Sequence, residues 1–250
     1  MHKISVLLGA DTEFNMAQIY NPKVTTSGLI LYLDAANRDS YPGSGTSWND
    51  LSGRGHVGTL VNSPTFNTSA LGSISFAGNT GHVTVPDSND WSGSEFTMDV
   101  WFNRSATWPA AWWADALLSH DVGPGETSSK WIYSYDPAKS KPIFHINYAP
   151  NISVVIEPAG TVSVSTSRWY NFSITKLGTS FTFYSNGTSL GSATNSSLIP
   201  NAAAPLRIGT GEGSSPFFNG LVSTVRMYDR ALSATEISSN FSALRGRYGI

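Results

Sequence analysis

Pairs of acidic side chains are the first residues that could do chemistry in this 250-residue sequence. Hydrolysis of a glycosidic bond needs two carboxyl groups, about 5–5.5 Å apart for retention or about 6.5–9.5 Å apart for inversion. The nearest two on one predicted strand are Glu95 and Asp99. Four residues at about 3.3 Å each separate them by about 13 Å, which is too far for hydrolysis. Both are expected to be solvated strand residues, and no catalytic residue is predicted.

Aromatic residues between positions 108 and 135 form the most informative pattern for binding. Flat rings stack on the apolar faces of sugars, and they also anchor protein–protein contacts. The first three tryptophans lie beside Pro109 in a segment without alternation, which predicts a surface loop. A lid over the core, a protein contact and a glycan platform all remain open for this loop. The candidate residues for binding a carbohydrate or a partner are Trp108, Trp112, Trp113, Trp131 and Tyr133.

Several other chemistries are excluded by composition and spacing. Cysteine is absent, so the chain has no disulfide, thiolate metal site or thiol nucleophile. The five histidines show no metal-ligand spacing, and no Gly-x-Ser-x-Gly motif is present. Fifteen Lys and Arg against 17 Asp and Glu give a net charge of −2, which disfavours nucleic-acid binding. No apolar run reaches the ~18 residues of a membrane-spanning helix, so membrane insertion is not expected.

The elements that must position these residues are short strands. From Leu29 onward, about a dozen apolar or alternating runs are separated by turn residues, with almost no helical period. This pattern is typical of a β-sandwich or a jelly roll. The run Glu95–Phe102 alternates and predicts a half-buried strand with Asp99 and Trp101 on its solvated side. Asn186-Gly187 predicts a type I′ hairpin turn, since both positions tolerate positive φ.

One helix is predicted near the C-terminus. Ser233 and Glu236 fit a capping box, and three apolar residues follow on one stripe. We expect this helix to cover about residues 234–244 and to pack against the sandwich. The three residues of the stripe are Ile237, Phe241 and Leu244.

Two opening segments, Gly28–Asn37 and Ser47–Gly55, resemble the start of laminin-G-like, concanavalin-A-like jelly-roll domains. The resemblance continues to about residue 247 and implies two stacked, curved antiparallel sheets. Such domains include carbohydrate binders, adhesion modules and, more distantly, β-glucanases, whose Glu-x-Asp-x-x-Glu pattern is absent here. The opening and the tail Phe241–Ile250 look most like versions found in bacteriophage structural proteins. The matching motif residues further along are Gly58, Leu60, Asn62, Pro64, Phe66, Val83, Val85, Pro86, Phe96, Thr97, Trp101, Trp169, Tyr184, Asn186, Gly187, Gly220, Val222, Val225, Tyr228, Arg230, Ala231, Leu232, Ser233, Glu236 and Ile237.

Calcium is the metal that this resemblance implies, since many such domains bind it. Calcium takes six to eight oxygen ligands, and no EF-hand-like spacing is present. One candidate group is Asp115, Asp121 and Glu126, in a glycine-rich segment. A second group is Asp34, Asp39 and Asp50. The alternative for both groups is that these are turn-forming and capping residues.

The predicted fold class is all-β: a two-sheet antiparallel jelly-roll sandwich (concanavalin A-like) with one short C-terminal helix and an N-terminal arm. Residues 1–27 are predicted to be the arm or anchor, ordered by a partner chain, and residues 28–250 the laminin-G-like domain. The predicted function is that of a non-enzymatic virion structural or decoration protein, displayed outward on a capsid, tail or fibre for surface or glycan adhesion.

This prediction implies particular partners. Residues 1–27 would bind other virion structural proteins at the virion surface, the domain would bind a glycan, and the protein is expected to be a homo-oligomer. The alternative is a secreted, extracellular carbohydrate-binding or adhesion module. An endo-β-glucanase-like enzyme is a third, disfavoured possibility, because no pair of carboxylates lies at hydrolytic spacing on one strand.

Overall fold

The computed structural model describes residues 22–107, 116–123, 129–148, 152–211 and 217–250. Within these ranges the chain forms sixteen strands and one α-helix. They are β1 (Leu29–Asp34), β2 (Ser47–Trp48), β3 (Gly58–Val61), β4 (Thr65–Asn67), β5 (Ser73–Ala77), β6 (His82–Val85), β7 (Phe96–Arg104), β8 (Leu118–Asp121), β9 (Lys130–Asp136), β10 (Lys141–Tyr148), β11 (Ile152–Ile156), β12 (Trp169–Leu177), β13 (Ser180–Ser185), β14 (Thr188–Thr194), β15 (Leu206–Ile208), β16 (Asn219–Tyr228) and α1 (Ala234–Tyr248).

These strands form two antiparallel sheets. The back sheet has the order β14-β13-β12-β7-β16-β5-β4, and β1 pairs with the second half of β16. The front sheet has the order β11-β10-β9-β8-β15-β6-β3-β2. We name the sheets by α1, which packs on the outer side of the back sheet and stacks Tyr248 on Trp101 with ring centroids 3.9 Å apart. The predicted two-sheet sandwich with one C-terminal helix is confirmed.

The inward side chains of the two sheets meet in one hydrophobic core. Phe144 of the front sheet lies at the contact, with its ring centroid 5.3 Å from Phe96 and 5.9 Å from Phe181, both of the back sheet. Trp131 stacks on the same Phe144 ring at 5.7 Å. These aromatic contacts join the sheets, because each large ring removes apolar surface of both from water.

The prediction that β7 is half-buried is wrong. Its inward residues lie in the core as expected, but Thr97, Asp99 and Trp101 on the other side are also fully buried. The reason is α1, whose Phe241 and Tyr248 rings both stack on the Trp101 indole. Asp99 is therefore not a solvated residue. It forms an ion pair with Arg226 beneath the helix.

Both local turn predictions are confirmed. Asn186 and Gly187 have φ values of 49° and 73°, as a type I′ turn requires. The Ser233 hydroxyl accepts from the Glu236 N–H, and the Glu236 carboxylate accepts from the Ser233 N–H, which completes the capping box. Hydrogen bonds from Arg230 and Ser233 lower the pKa of Glu236 to about 2. The helix continues to Tyr248, four residues beyond the predicted end.

The last residues of the predicted arm contact their own domain. The Thr25 N–H donates to Asn240 Oδ1 of α1 at 2.7 Å, and the Tyr228 hydroxyl donates to the Thr25 carbonyl at 3.1 Å. Ser27 accepts from Arg230 Nε at 3.0 Å. Residues 1–21 lie outside the described part of the chain, so their docking on a partner stays a prediction. No helix in the described ranges is long and apolar enough to cross a membrane.

Candidate functional site

The outer side of the front sheet presents a row of polar side chains on four adjacent strands. The register aligns Arg207 of β15 with Thr84 of β6, Thr84 with Thr59 of β3, and Thr59 with Ser47 of β2. We call these four residues the open row, because Thr59 and Ser47 are exposed and the other two half-exposed. Three strand spacings of about 4.8 Å make the row about 14 Å long. That length suits an oligosaccharide of two or three rings.

Alternation along two short strands creates the open row. Val83 and Val85 of β6 point into the core, so Thr84 must point outward. Leu206 and Ile208 of β15 also point into the core, so Arg207 between them points outward. The hydroxyls of the two threonines in the row make no hydrogen bond within the described residues. They are therefore available to a ligand.

Arg207 is held in a fixed position at one end of the row. Its Nη1 donates to the Asp121 carbonyl at 2.5 Å. Burial lowers the pKa of Arg207, and the charge of the Asp121 side chain partly opposes this. Because an arginine remains protonated at neutral pH even so, the row ends in a fixed cation with several N–H donors.

His82 lies beside the row, on the same side of β6 as Thr84. Its Nδ1 is 2.9 Å from the Thr80 carbonyl, and its ring lies 5.9 Å from that of Phe217. Burial lowers the pKa of His82, although the hydrogen bond to Thr80 raises it. The imidazole is therefore neutral near pH 7 and adds a flat ring next to the threonine hydroxyls.

The centre of the front sheet is closed to solvent. Asp121, Lys130 and Asn147 occupy one register row on β8, β9 and β10, and all three are buried. Lys130 Nζ lies 4.0 Å from Asp121 Oδ2 and donates to the Gly123 carbonyl at 3.2 Å. Ile132, also on this side, is fully buried yet belongs to neither hydrophobic cluster of the described residues. Among the described residues on this side of the sheet, a ligand can therefore reach the open row but not the central row of Asp121, Lys130 and Asn147.

Two of the predicted binding residues lie in the core instead. Trp131 is fully buried, and its Nε1 donates to the Trp91 carbonyl at 2.8 Å. Tyr133 is equally buried, and burial raises its pKa well above 10. As surface contacts for a ligand or partner, these two predictions are wrong. Trp131 and Tyr133 alternate with Lys130 and Ile132 along β9, and the inward set is the aromatic one.

The remaining predicted binding residues, Trp108, Trp112 and Trp113, lie outside the described residues. Their three alternatives, a core lid, a protein contact and a glycan platform, therefore stay open.

The predicted calcium ligands do not form a site in the described ranges. Asp115 and Glu126 lie outside them, and Asp121 faces the Lys130 ammonium, which would compete with a cation. In the second predicted group, Asp34 pairs with Arg247 at 2.9 Å, and Asp50 accepts backbone N–H groups in a turn. No three His, Asp or Glu residues of the described chain converge as metal ligands would.

Two buried carboxylates on the outer side of the front sheet, those of Asp121 and Asp136, are also far apart. Asp121 is opposite Lys130, and Asp136 lies six residues further along the same strand, about 20 Å away. This separation is too wide for either hydrolytic geometry. Glu126 and Glu212, which follow front-sheet strands in sequence, lie outside the described residues.

A family model provides the decisive comparison. The model for the concanavalin A-like lectin/glucanases superfamily, Laminin_G_3, matches residues 77–238, which is more than half of the chain. The chain belongs to this superfamily. No curated protein sequence matches this lectin-like domain significantly.

Solved structures show the same fold at low sequence identity. Domain 4 of AbnA, an extracellular GH43 arabinanase of Geobacillus stearothermophilus solved with arabinotriose, has a TM-score of 0.67 and 15% identity, with 86% of this chain and 98% of that chain covered. Trypanosoma rangeli sialidase has a TM-score of 0.62 and 19% identity, over 90% of this chain and 34% of that chain. The botulinum neurotoxin type G receptor-binding domain has a TM-score of 0.61 and 15% identity, with 86% of this chain and 51% of that chain covered. The lectin-like domain thus spans about a third of the sialidase and half of the toxin domain.

Sequence reasoning missed the open row. Each of its residues lies in a short run whose alternation is visible, such as His82–Val85 and Leu206–Ile208. What the runs do not specify is their order in the sheet, because β15 and β6 are about 120 residues apart and pair only through the fold. The aromatic pattern is more conspicuous in the sequence, but its described candidates, Trp131 and Tyr133, lie in the core.

Proposed function

We propose that the lectin-like domain is a non-enzymatic carbohydrate-binding module that uses the open row of the front sheet. The observation that carries the proposal is the alignment of Arg207, Thr84 and Thr59 across three paired strands, with free hydroxyls and a fixed cation. Sugar hydroxyls both donate and accept hydrogen bonds, which threonine hydroxyls and a guanidinium can satisfy. The arabinotriose complex of the AbnA domain makes a short neutral oligosaccharide the first ligand to test.

The arrangement favours binding over hydrolysis. A glycosidase holds two carboxyl groups on the two sides of the scissile bond. The open row contains none, and Asp121, whose carbonyl accepts from Arg207, has its carboxylate buried beside Lys130. Purified protein should therefore release no reducing ends from β-glucans or arabinans. Turnover that disappears in Glu126→Gln or Glu212→Gln would contradict a purely binding role.

The direction of the arm supports an adhesion role. Thr25 is held by Asn240 of α1 and by Tyr228 of β16, all on the outer side of the back sheet. An assembly that bound residues 1–21 would hold the domain from that side. The open row would then face away from the assembly, as outward display requires.

A virion surface is the assembly that we propose, with the module present in several copies as a structural or decoration protein. Multiple copies would raise the avidity of weak glycan contacts. Removing residues 1–21 should then abolish incorporation into particles while glycan binding by the free domain persists. A free, secreted module with normal binding and no particle association would contradict the virion part and leave carbohydrate binding intact.

Thr59→Ala combined with Thr84→Ala tests the binding proposal directly. Loss of two neutral hydrogen bonds, each worth about 0.5–1.5 kcal/mol, should weaken arabinotriose binding by about fivefold or more. Thr65→Ala, an exposed strand threonine of the back sheet, is the matched control and should leave the affinity unchanged. Isothermal titration calorimetry measures all three proteins. An unchanged affinity in the double variant, or no binding of any neutral oligosaccharide on a glycan array, would overturn the proposal.

A further inference from the structure

A second cleft lies on the back sheet, beside the C-terminal end of α1, and the front-sheet proposal does not use it. Its volume is about 360 Å³, within the range of about 300–1,000 Å³ that is usual for small-molecule sites. Residues from the loop before β12, the β13–β14 turn and the end of α1 line it. They include Ser167, Arg168, Trp169, Asn186, Tyr248 and Gly249. We call it the Trp169 cleft.

The indole of Trp169 is a supported aromatic surface at the edge of this cleft. It is half-buried, and its ring centroid lies 4.9 Å from that of Tyr248 at an angle of 56°. Tyr248 is itself buried and stacks on Trp101 at 3.9 Å. The chain of three rings fixes the indole without covering it, as stacking on a sugar ring would require.

Three side chains that line the cleft, Arg168, Trp169 and Asn186, offer hydrogen-bond donors. Within the described residues, the Trp169 indole N–H and the exposed Arg168 guanidinium have no hydrogen-bond partner. The side-chain oxygen Oδ1 of Asn186 accepts from the Asn171 backbone N–H at 2.9 Å, which leaves the two side-chain amide hydrogens of Asn186 for another acceptor. None of the lining side chains is acidic. A ligand rich in oxygen acceptors, with a negative charge near Arg168, matches this set.

The backbone at the cleft is held in an uncommon conformation. Ser167 has a φ of 60°, in the left-handed region that a serine seldom adopts. Its N–H donates to the Arg104 carbonyl at 2.7 Å, and this bond anchors the loop to β7. Such residues are concentrated at ligand sites, where the surrounding structure maintains the strain. Here it immediately precedes Arg168 and Trp169, which line the cleft.

We propose that the Trp169 cleft is a second sugar subsite, selective for a carboxylated saccharide. Trp169 stacks on the sugar ring, Arg168 forms a charge-assisted hydrogen bond with the carboxylate, and the Asn186 amide donates to a ring hydroxyl. The saccharide part of the inference rests on the proposed function. The preference for a carboxylate rests on the donors of the cleft alone.

Two probes that differ only in a carboxylate test the selectivity. A β-1,4-linked disaccharide ending in glucuronic acid should bind the full-length protein about tenfold or more tightly than cellobiose. Arg168→Gln should lose that preference and bind both probes equally. Arg245→Gln, which removes an exposed cation of α1 that does not line the cleft, is the matched control and should retain the preference. Trp169→Ala should weaken both probes, and a thermal melt confirms that the variant is folded.

The cleft proposal can be refuted independently of the front-sheet proposal. Equal binding of the two probes by the unmodified protein, no binding of the acidic probe, or an unchanged preference in Arg168→Gln would each overturn the cleft proposal. The Thr59→Ala and Thr84→Ala double variant should bind the acidic probe normally. If that variant loses the acidic probe while Arg168→Gln retains it, the probe binds the open row, and only the Trp169 cleft is refuted.

Discussion

Asp99 and Arg226 form a fully buried ion pair between the back sheet and α1, with Arg226 Nη2 2.6 Å from Asp99 Oδ1. The other carboxylate oxygen accepts from Ser173 Oγ at 2.7 Å and Asn171 Nδ2 at 3.0 Å. Burial alone would lower the pKa of Arg226, but the charge and hydrogen bonds of Asp99 raise it above its ordinary value. Both oxygens of the Asp99 carboxylate are thus hydrogen-bonded.

Removing one partner of this pair should be strongly destabilising. Arg226→Met leaves the Asp99 carboxylate buried without its cation, which costs about 3–5 kcal/mol of unfolding free energy. Urea denaturation measures the loss. Arg54→Met provides the control, because the Arg54–Asp229 pair is half-exposed and should contribute less than about 1 kcal/mol. Similar losses in the two variants would contradict the importance of the buried pair.

The tryptophans of the predicted binding cluster should separate into two classes. Trp131→Ala removes a fully buried indole and should cost about 3–5 kcal/mol. Trp112→Ala and Trp113→Ala should leave the melting temperature nearly unchanged and weaken self-association instead, as a contact loop predicts. Calorimetric melts and analytical ultracentrifugation distinguish these outcomes. A large loss of stability in both loop variants would show that those rings are a core lid.

Local signals predicted much of the fold, and long-range packing accounts for the errors. The Asn186-Gly187 turn and the Ser233–Glu236 capping box depend on residues at most three positions apart, so the sequence contains all the information they need. Asp99 was misplaced because its covering partner, α1, follows it by more than 130 residues. Strands β2 and β4 have only two and three residues, which is too short for a period to appear.

The candidate site was less predictable than the fold for the same reason. Asp99 and Arg226 are 127 residues apart in sequence, and Arg207 and Thr84 are similarly remote. Amino-acid type also misleads here, since aromatic residues suit both a ligand platform and a core. Only the direction of each side chain on its strand distinguishes the two roles, as Trp131 shows.

The boundary of the arm should be detectable by truncation. Deleting residues 1–21 removes none of the described contacts and should leave the melting temperature unchanged. Deleting residues 1–27 also removes the bonds of Thr25 to Asn240 and Tyr228, and should lower stability by about 1–3 kcal/mol. Asn240→Ala should reproduce part of that loss. Equal stability of the two truncated chains would show that the hydrogen bonds of Thr25 contribute nothing to the free energy of unfolding.

Stability should decrease in mild acid because of His120. Burial lowers its pKa, although the hydrogen bonds that its Nε2 makes to the Asp87 carboxylate and the Ala204 carbonyl raise it. A histidine whose pKa is lower when folded stabilises the fold fully above about pH 6.5, and this stability is lost as the pH falls towards the folded value. His120→Gln should reduce the drop in unfolding free energy between pH 7 and pH 5. His82→Gln should also reduce this drop in unfolding free energy, because burial lowers the pKa of His82 as well. If the drop is unchanged in both variants, this assignment is wrong.

Carbohydrate binding by the open row is tested most directly by two-dimensional NMR of the isotopically labelled protein during titration with arabinotriose. The backbone amide shifts should concentrate at Thr59, Thr84 and Arg207, and the Thr59→Ala and Thr84→Ala double variant should show smaller shifts at every ligand concentration. Shifts confined to the back sheet, or no shifts at millimolar arabinotriose and across a panel of neutral oligosaccharides, would contradict a carbohydrate site on the front sheet.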